Sequence, residues 1–189
     1  MKLISYQDLI PTPWKNGGGV TRELACHPEG ADFATFLWRV SIAEVNRSGP
    51  FSCFPGIDRS ITLLSGAGMQ LTFADGKTHP LIAPLVPYQF IGEAALNAQL
   101  VDAGCEDFNL MCRRGMVSGE VVVLHRGETI DASDFLLLFS ARGKWEVSTA
   151  KGEVFILTPR QTFINDAGII SVRPLTEDSA LMRVKINRD

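Results

Sequence analysis

The strongest constraint on the fold is a repeated run of strand punctuation. Leu63-Leu64-Ser65-Gly66-Ala67-Gly68 matches Leu138-Phe139-Ser140-Ala141-Arg142-Gly143 without a gap. Farther on, Asp75-Gly76 falls opposite Lys151-Gly152 after a one-residue slip, and Pro87-Tyr88-Gln89-Phe90 opposite Pro159-Arg160-Gln161-Thr162-Phe163. Each copy reads strand, Gly turn, strand, Gly turn, strand, Pro, strand. Consecutive antiparallel strands build one wall of a small barrel in that way, and the repeat builds a second.

The rest of the chain agrees. Short apolar or alternating segments include Val20–Cys26, Phe36–Val45, Arg59–Leu64 and Phe108–Cys112, then Val117–Leu124, Phe135–Ser140, Lys144–Thr149 and Leu181–Ile186. Many short strands between Gly and Pro turns indicate an all-β sandwich or barrel rather than βαβ units. Helical turns are expected at most in Tyr6–Leu9 and Ala103–Asp107. Residues 101–134 stay strand-like and apolar, so no linker parts the copies. The expectation is two β-sandwich halves in one compact unit spanning 1–189: an N-terminal β-barrel over about 1–115 and a C-terminal β-barrel over 116–189, with strands open to exchange between them.

Composition narrows the function. With 189 residues, 46% hydrophobic and 21% charged, the chain buries a sizeable core. A net charge of -3 argues against a general nucleic-acid binder, and no apolar run is long enough to span a membrane. Residues 1–14 are too polar for a signal peptide, so the four cysteines read as reduced thiols of a cytoplasmic protein. There are three histidines and no CxxC, HxH or HExxH, so neither a metal nor another cofactor is expected.

The most unusual stretch is Trp14-Lys15-Asn16-Gly17-Gly18-Gly19-Val20-Thr21-Arg22-Glu23. Consecutive glycines let backbone N–H groups approach a ligand, but no Lys-Ser/Thr and no helix follow, so this is no phosphate loop. A tight turn with a β-bulge explains it equally well. The arginines point to an anion. Arg22 shares strand parity with Val20, Leu24 and Cys26, Arg59 with Ile61 and Leu63, and Arg39 lies between Trp38 and Val40. Inward arginines need either internal partners, for which Glu23 and Asp58 are the obvious candidates, or a carboxylate ligand gripped by the guanidinium fork. Trp14, Trp38, Phe54 and Met111 supply candidate apolar walls, and Asn16, Ser41 and Asn109 neutral hydrogen bonds. Catalytic signals are weak: no GxSxG elbow occurs, and the enzymatic alternative is a metal-independent isomerase or hydrolase using Glu23 and Asp58 as acid and base. Exposed edge strands make a homodimer an open alternative to a ligand site.

Four blocks, Trp14–Glu23, Trp38–Ala43, Phe51–Arg59 and Asp107–Arg113, resemble the HutD/Ves family of bacterial proteins. The resemblance implies a cupin-like double β-barrel, a bicupin, without the metal-binding histidines of ordinary cupins. It implies a part in histidine utilisation that restrains or tunes the pathway rather than catalysing a step, and the intact triple glycine is closer to the HutD branch. Carried over residue by residue, the ligand site comprises Trp14, Asn16, Thr21, Arg22, Trp38, Arg39, Ser41, Phe54, Asp58, Arg59 and Asn109, with Glu23 beside Arg22. The implied ligands are the small carboxylates urocanate and N-formylglutamate.

Overall fold

Turns fix where each strand reverses, and alternation fixes which face it buries. The computed structural model describes residues 1–131, 135–165 and 168–189. In chain order the strands are β1 (Lys2–Ser5), β2 (Thr12–Pro13), β3 (Gly19–His27), β4 (Trp38–Val45), β5 (Gly49–Pro50) and β6 (Ile57–Ser65). They continue with β7 (Met69–Phe73), β8 (Thr78–Leu81), β9 (Tyr88–Ile91), β10 (Leu96–Leu100), β11 (Cys105–Arg113) and β12 (Val117–Leu124). The last seven are β13 (Glu128–Ile130), β14 (Phe135–Arg142), β15 (Trp145–Thr149), β16 (Val154–Leu157), β17 (Gln161–Asn165), β18 (Ile170–Pro174) and β19 (Ala180–Arg188). The expected turn at Tyr6–Leu9 is a 3-10 turn over Tyr6–Asp8, whereas the one at Ala103–Asp107 gives way to the start of β11. Extended pairing of Cys105 to Val45 and Asp107 to Ala43 overrides its weak helical pattern.

The chain divides into two compact units: a first unit of Leu9–Val117 and a second made of Met1–Asp8 with Ser118–Asp189. Among the described residues the first unit holds a six-stranded sheet, β2-β3-β4-β11-β6-β9, and a four-stranded sheet, β5-β10-β7-β8. The second holds β1-β17-β14-β19-β12 and β13-β18-β15-β16. The orders correspond strand for strand: β4-β11-β6-β9 to β12-β19-β14-β17, and β5-β10-β7-β8 to β13-β18-β15-β16. The repeat is therefore a repeat of topology. Strand β1 pairs with β17, which places the N-terminal segment in the second unit.

Register refines the alignment of the copies. In the β6–β11 pair the irregularity leaves Ser65 opposite Glu106 and Leu63 opposite Asp107. In β14–β19 it leaves Arg142 opposite Ala180 and Ser140 opposite Leu181. Leu63 thus corresponds to Ser140, not to Leu138 as the ungapped match has it. The loops agree: the Leu85 N–H donates to the Leu63 carbonyl at 2.9 Å and the Arg160 N–H to that of Ser140 at 2.7 Å. Leu85 and Arg160 also share a positive φ, 63° and 66°. The slip is even, so parity survives, and the sequence match still reports correctly which residues share a face. The turn after β6 needs glycine: Gly68 has φ +84°, and a Cβ there would lie 2.1 Å from the Leu81 carbonyl oxygen.

Each unit has its own core. In the second, Leu136, Leu138, Trp145, Val147, Phe163 and Leu181 are buried together. In the first, one cluster gathers Val45, Ile61, Leu63, Leu71 and Leu96, and a smaller one Phe36, Ile57 and Met111. Among the described residues no helix is long and apolar enough to cross a membrane.

Candidate functional site

The polar side chains of interest lie where those two apolar clusters of the first unit meet. On the six-stranded sheet, Arg39 (β4), Met111 (β11) and Arg59 (β6) are direct cross-strand neighbours, as are Ser41, Asn109 and Ile61. Directly paired residues point to the same face, and the two arginines are two strand spacings apart, about 10 Å. Arg59 is buried, and its Nη2 donates to Asn109 Oδ1 at 2.7 Å. The Asn109 amide in turn donates to Asp107 Oδ1. Nearer solvent, Arg39 Nε donates to Glu23 Oε2 at 2.7 Å and Nη1 to Ser41 Oγ at 3.3 Å.

Aromatic rings frame the buried guanidinium. The Arg59 Cζ lies 4.9 Å from the Phe90 ring centre and 5.5 Å from those of Phe51 and Phe54. The rings offer their negative faces to the cation but accept few of its N–H donors. Arg59 Nε has no hydrogen-bond partner, nor does Asp107 Oδ2. Buried polar atoms are normally paired, so each is a hydrogen-bonding position that the protein's own side chains leave unused. Burial pulls the Arg59 guanidinium down to about 10, so it keeps its charge at neutral pH. Burial likewise pushes the Asp107 carboxyl up to about 7, with Arg59 opposing the shift.

A gradient runs through the cluster. The outer pair is partly wet, the Glu23 side chain being 41% exposed, while Arg59 and Asp107 are buried. Phe33 packs on Phe54 at 5.4 Å and lies 5.1 Å from the Arg39 Cζ, so an exposed ring flanks the outer arginine. Among the described residues no group of three His, Cys, Asp or Glu side chains is arranged to hold a metal ion.

Of the expected site residues, Glu23, Arg39, Ser41, Phe54, Arg59 and Asn109 come together here. Trp14 and Thr21 lie on the same face: the Trp14 indole donates to Thr21 Oγ1 at 2.8 Å, and Thr21 is paired with Ala43. Arg22 does not join them. A bulge between Glu23 and Ala25 reverses the alternation, so Cys26 opposes Arg39 while Arg22 opposes Ile42 and pairs with Glu44 on the other face. Trp38 and Asp58 also take the other face, each being the strand neighbour of an inward arginine. Trp38 stacks on His27 at 5.8 Å, and Asp58 forms an ion pair with Arg114 at 2.7 Å. The acid/base pairing of Glu23 with Asp58 is therefore corrected, since the sheet lies between them. Asn16 instead serves its own turn: its Oδ1 accepts the Gly18 N–H at 2.9 Å.

The triple glycine has a packing role at Gly19. A Cβ there would meet the Glu44 carbonyl oxygen at 2.3 Å and the Trp14 ring at 3.1 Å. Gly19→Ala is expected to cost about 1–3 kcal/mol, as overpacking does, and to shift Trp14. Urea unfolding followed by tryptophan fluorescence would check both.

Three residues of the site escaped the sequence reading: Phe51, Phe90 and Asp107. Asp107 carried a usable signal, since Asp107, Asn109 and Met111 share one parity once β11 is recognised as starting at Cys105. The helical reading of Ala103–Asp107 hid it. Phe51 and Phe90 reach Arg59 only by tertiary packing.

The second unit provides an internal comparison. By the register, its Leu136 occupies the place of Arg59 and Leu181 that of Asp107. Both are buried in an apolar cluster. Arg183 stands where Asn109 does, but it forms ion pairs with Glu120 at 3.0 Å and with Glu128. The same architecture therefore packs well without a buried Arg–Asn–Asp chain. Arg59, in contrast, has a neutral amide where Arg183 has two carboxylates.

Comparison with known proteins places these features in a family. The HutD family model matches residues 6–182. An uncharacterized 21.2 kDa protein in the hutC 3' region of Pseudomonas putida is 36% identical over 155 residues, covering 82% of this chain and 80% of its own. Protein Ves of Escherichia fergusonii is 35% identical over 148 residues, 76% of each chain. Among solved structures, HutD from Pseudomonas fluorescens SBW25 superposes with a TM-score of 0.85 at 28% identity, covering 100% of this chain and 98% of its own. A cupin 2 conserved barrel domain protein from Leptotrichia buccalis, at 11% identity and a TM-score of 0.63 over 100% of this chain and 96% of its own, shares the fold. The architecture is all-β and cupin-like.

Proposed function

The chain belongs to the HutD family, and from that premise we propose a non-enzymatic accessory or regulatory protein of histidine catabolism, binding a small carboxylate intermediate in a metal-free pocket of the first unit. The family is linked to histidine utilisation. Urocanate and N-formylglutamate are the candidate ligands. In this reading each unit is one β-sandwich half of a bicupin, and the protein works in the cytoplasm with its four cysteines as thiols.

One observation carries the proposal. Arg59 is buried in an aromatic frame without a carboxylate partner, at a position where the topologically equivalent unit has a leucine. A buried cation bonded to a neutral amide rather than to a carboxylate is expensive, and the fold does not require it. A ligand carboxylate would supply the missing acceptor in charge-assisted form. Arg39 and Ser41, on the same face and closer to solvent, are suited to a second polar end of the ligand.

Thermal denaturation with histidine, urocanate, imidazolone propionate, formiminoglutamate, N-formylglutamate and glutamate is the test. A ligand binding only the folded state at about 100 times its Kd stabilises by about 2.7 kcal/mol, which shifts the Tm of a chain this long by about 5–10 °C. Urocanate or N-formylglutamate should give that shift. No shift with any carboxylate at millimolar concentration would overturn the proposal.

A further inference from the structure

We propose that Asp107 is a proton-linked counter-ion of the anion site: a carboxylate that binds at Arg59 brings with it a proton taken from solvent onto Asp107. The proposal rests on the carboxylate reading of that site and adds its regulation.

The geometry supplies the argument. Asp107 and Arg59 do not touch; Asn109 joins them, taking one Arg59 N–H on its oxygen and giving its amide to Asp107 Oδ1. Asp107 is 1% exposed and its Oδ2 has no donor. An ionised carboxylate would leave that oxygen bare in a low-dielectric setting, whereas a protonated one places a proton there. The polar contacts that would hold an anion are incomplete, and Arg59, the cation that favours the ionised form, is reached only through a neutral amide.

The ionisable surroundings are few. On the same face of the sheet stand Arg59 on β6, Arg39 on β4, Glu23 and Cys26 on β3, Tyr88 on β9, and Cys105 and Arg113 on β11 itself, Arg113 at its far end with its Nε donating to the Phe36 carbonyl. Glu106 is the adjacent residue on β11, and its charge opposes ionisation of Asp107. From the facing sheet, β7 and β10 contribute Met69, Leu71, Leu96 and Ala98, and β8 contributes His79, stacked on Tyr88. Arg59 is the charge that favours ionised Asp107, and burial opposes it, leaving the carboxyl near 7. A ligand carboxylate at Arg59 cancels that support. Two carboxylates around one buried guanidinium cannot both stay ionised at low cost, and the one that takes up a proton from solvent is Asp107, whose charged form burial already disfavours. The step balances as one anion and one proton bound together, and no covalent bond changes. Linkage makes the effect reciprocal: ligand raises proton affinity, and protonation raises ligand affinity.

Calorimetric titration with N-formylglutamate and with formate, in two buffers of different ionisation enthalpy, reads the proton directly. Both probes are fully ionised between about pH 6 and pH 9, so a proton taken up belongs to the protein. Uptake is expected to rise from near zero at about pH 6 toward one proton per ligand at about pH 8. Over that range Kd should weaken by up to about tenfold per pH unit above about 7. Asp107→Asn should bind without proton uptake and with a flat pH profile. Wild-type binding with no uptake and a flat Kd overturns this inference and leaves the carboxylate site standing. Uptake that persists in Asp107→Asn overturns the assignment to Asp107. No saturable binding of either acid at any pH overturns the carboxylate reading and this inference with it. Should Asp107→Asn fail to fold, wild-type protein with carbon-13 at the Asp carboxyls decides. One resonance titrating near pH 7 and moving upward with formate supports the inference, and its absence overturns it.

Discussion

Arg59→Leu should lose carboxylate binding by at least about 100-fold while the protein stays folded. Removing one partner of a desolvated charge-assisted contact costs binding about 2–5 kcal/mol, and here the removed group is the central one. Stability should move the other way. Arg59 buries a cation whose Nε has no partner, and exchanging a buried charge for an apolar side chain is often neutral or stabilising. The leucine would sit among Phe51, Phe54 and Phe90, as Leu136 sits in the second unit. The measurement is Tm and ligand-induced Tm shift, taken at about pH 6 and about pH 9.

The two pH values matter because of Asp107. Its carboxyl is raised by burial from 3.8 to about 7, so the folded form holds the proton more tightly than the unfolded one. Its contribution to stability is complete below about pH 4 and is lost progressively as pH rises to about 7. In Arg59→Leu the opposing attraction is gone, and the loss should extend to higher pH. The variant should therefore equal or exceed the wild type at about pH 6 and fall below it at about pH 9. A variant that unfolds at both would mean that Arg59 is needed to hold the first unit together.

The reverse exchange, Leu136→Arg, should be far more damaging. Leu136 is 2% exposed, and the residue directly opposite it on β19 is Lys185, with Arg183 two residues along on the same face. The new cation would be buried beside two like charges, while Glu120 and Glu128 are already engaged with Arg183. A cost of about 3–5 kcal/mol or loss of soluble protein is expected, against less than about 1.5 kcal/mol for Leu136→Met. Denaturant unfolding of the pair would measure it. Equal stability of Leu136→Arg and wild type would show that an inward arginine is cheap in this architecture, and Arg59 would then need no ligand to explain it.

Strand parity made half of the site legible. Arg39, Ser41, Arg59 and Asn109 all fall on regular stretches of β4, β6 and β11, where side chains alternate without interruption. Arg22 was misread because one bulge lies between it and Cys26, and nothing in Arg-Glu-Leu-Ala-Cys announces a bulge. Asp58 and Trp38 drew attention by type, yet each adjoins a correctly read arginine and so must face away from it. Phe51, Phe90 and the Asn109 bridge depend on packing between strands distant in sequence.

What the sequence determined by itself was the class of fold and its doubling. Glycine and proline positions set where strands end, alternation sets their faces, and both are properties of neighbours along the chain. It also identified the family, through four blocks that recur in order. Only the tertiary structure decided that the two copies treat the same position oppositely, Arg59 in one and Leu136 in the other. It alone decided that Arg59 is separated from Asp107 by an amide rather than paired with it. Burial and partner geometry set the energy of a charge, and both depend on which strands lie side by side, which a linear sequence does not contain.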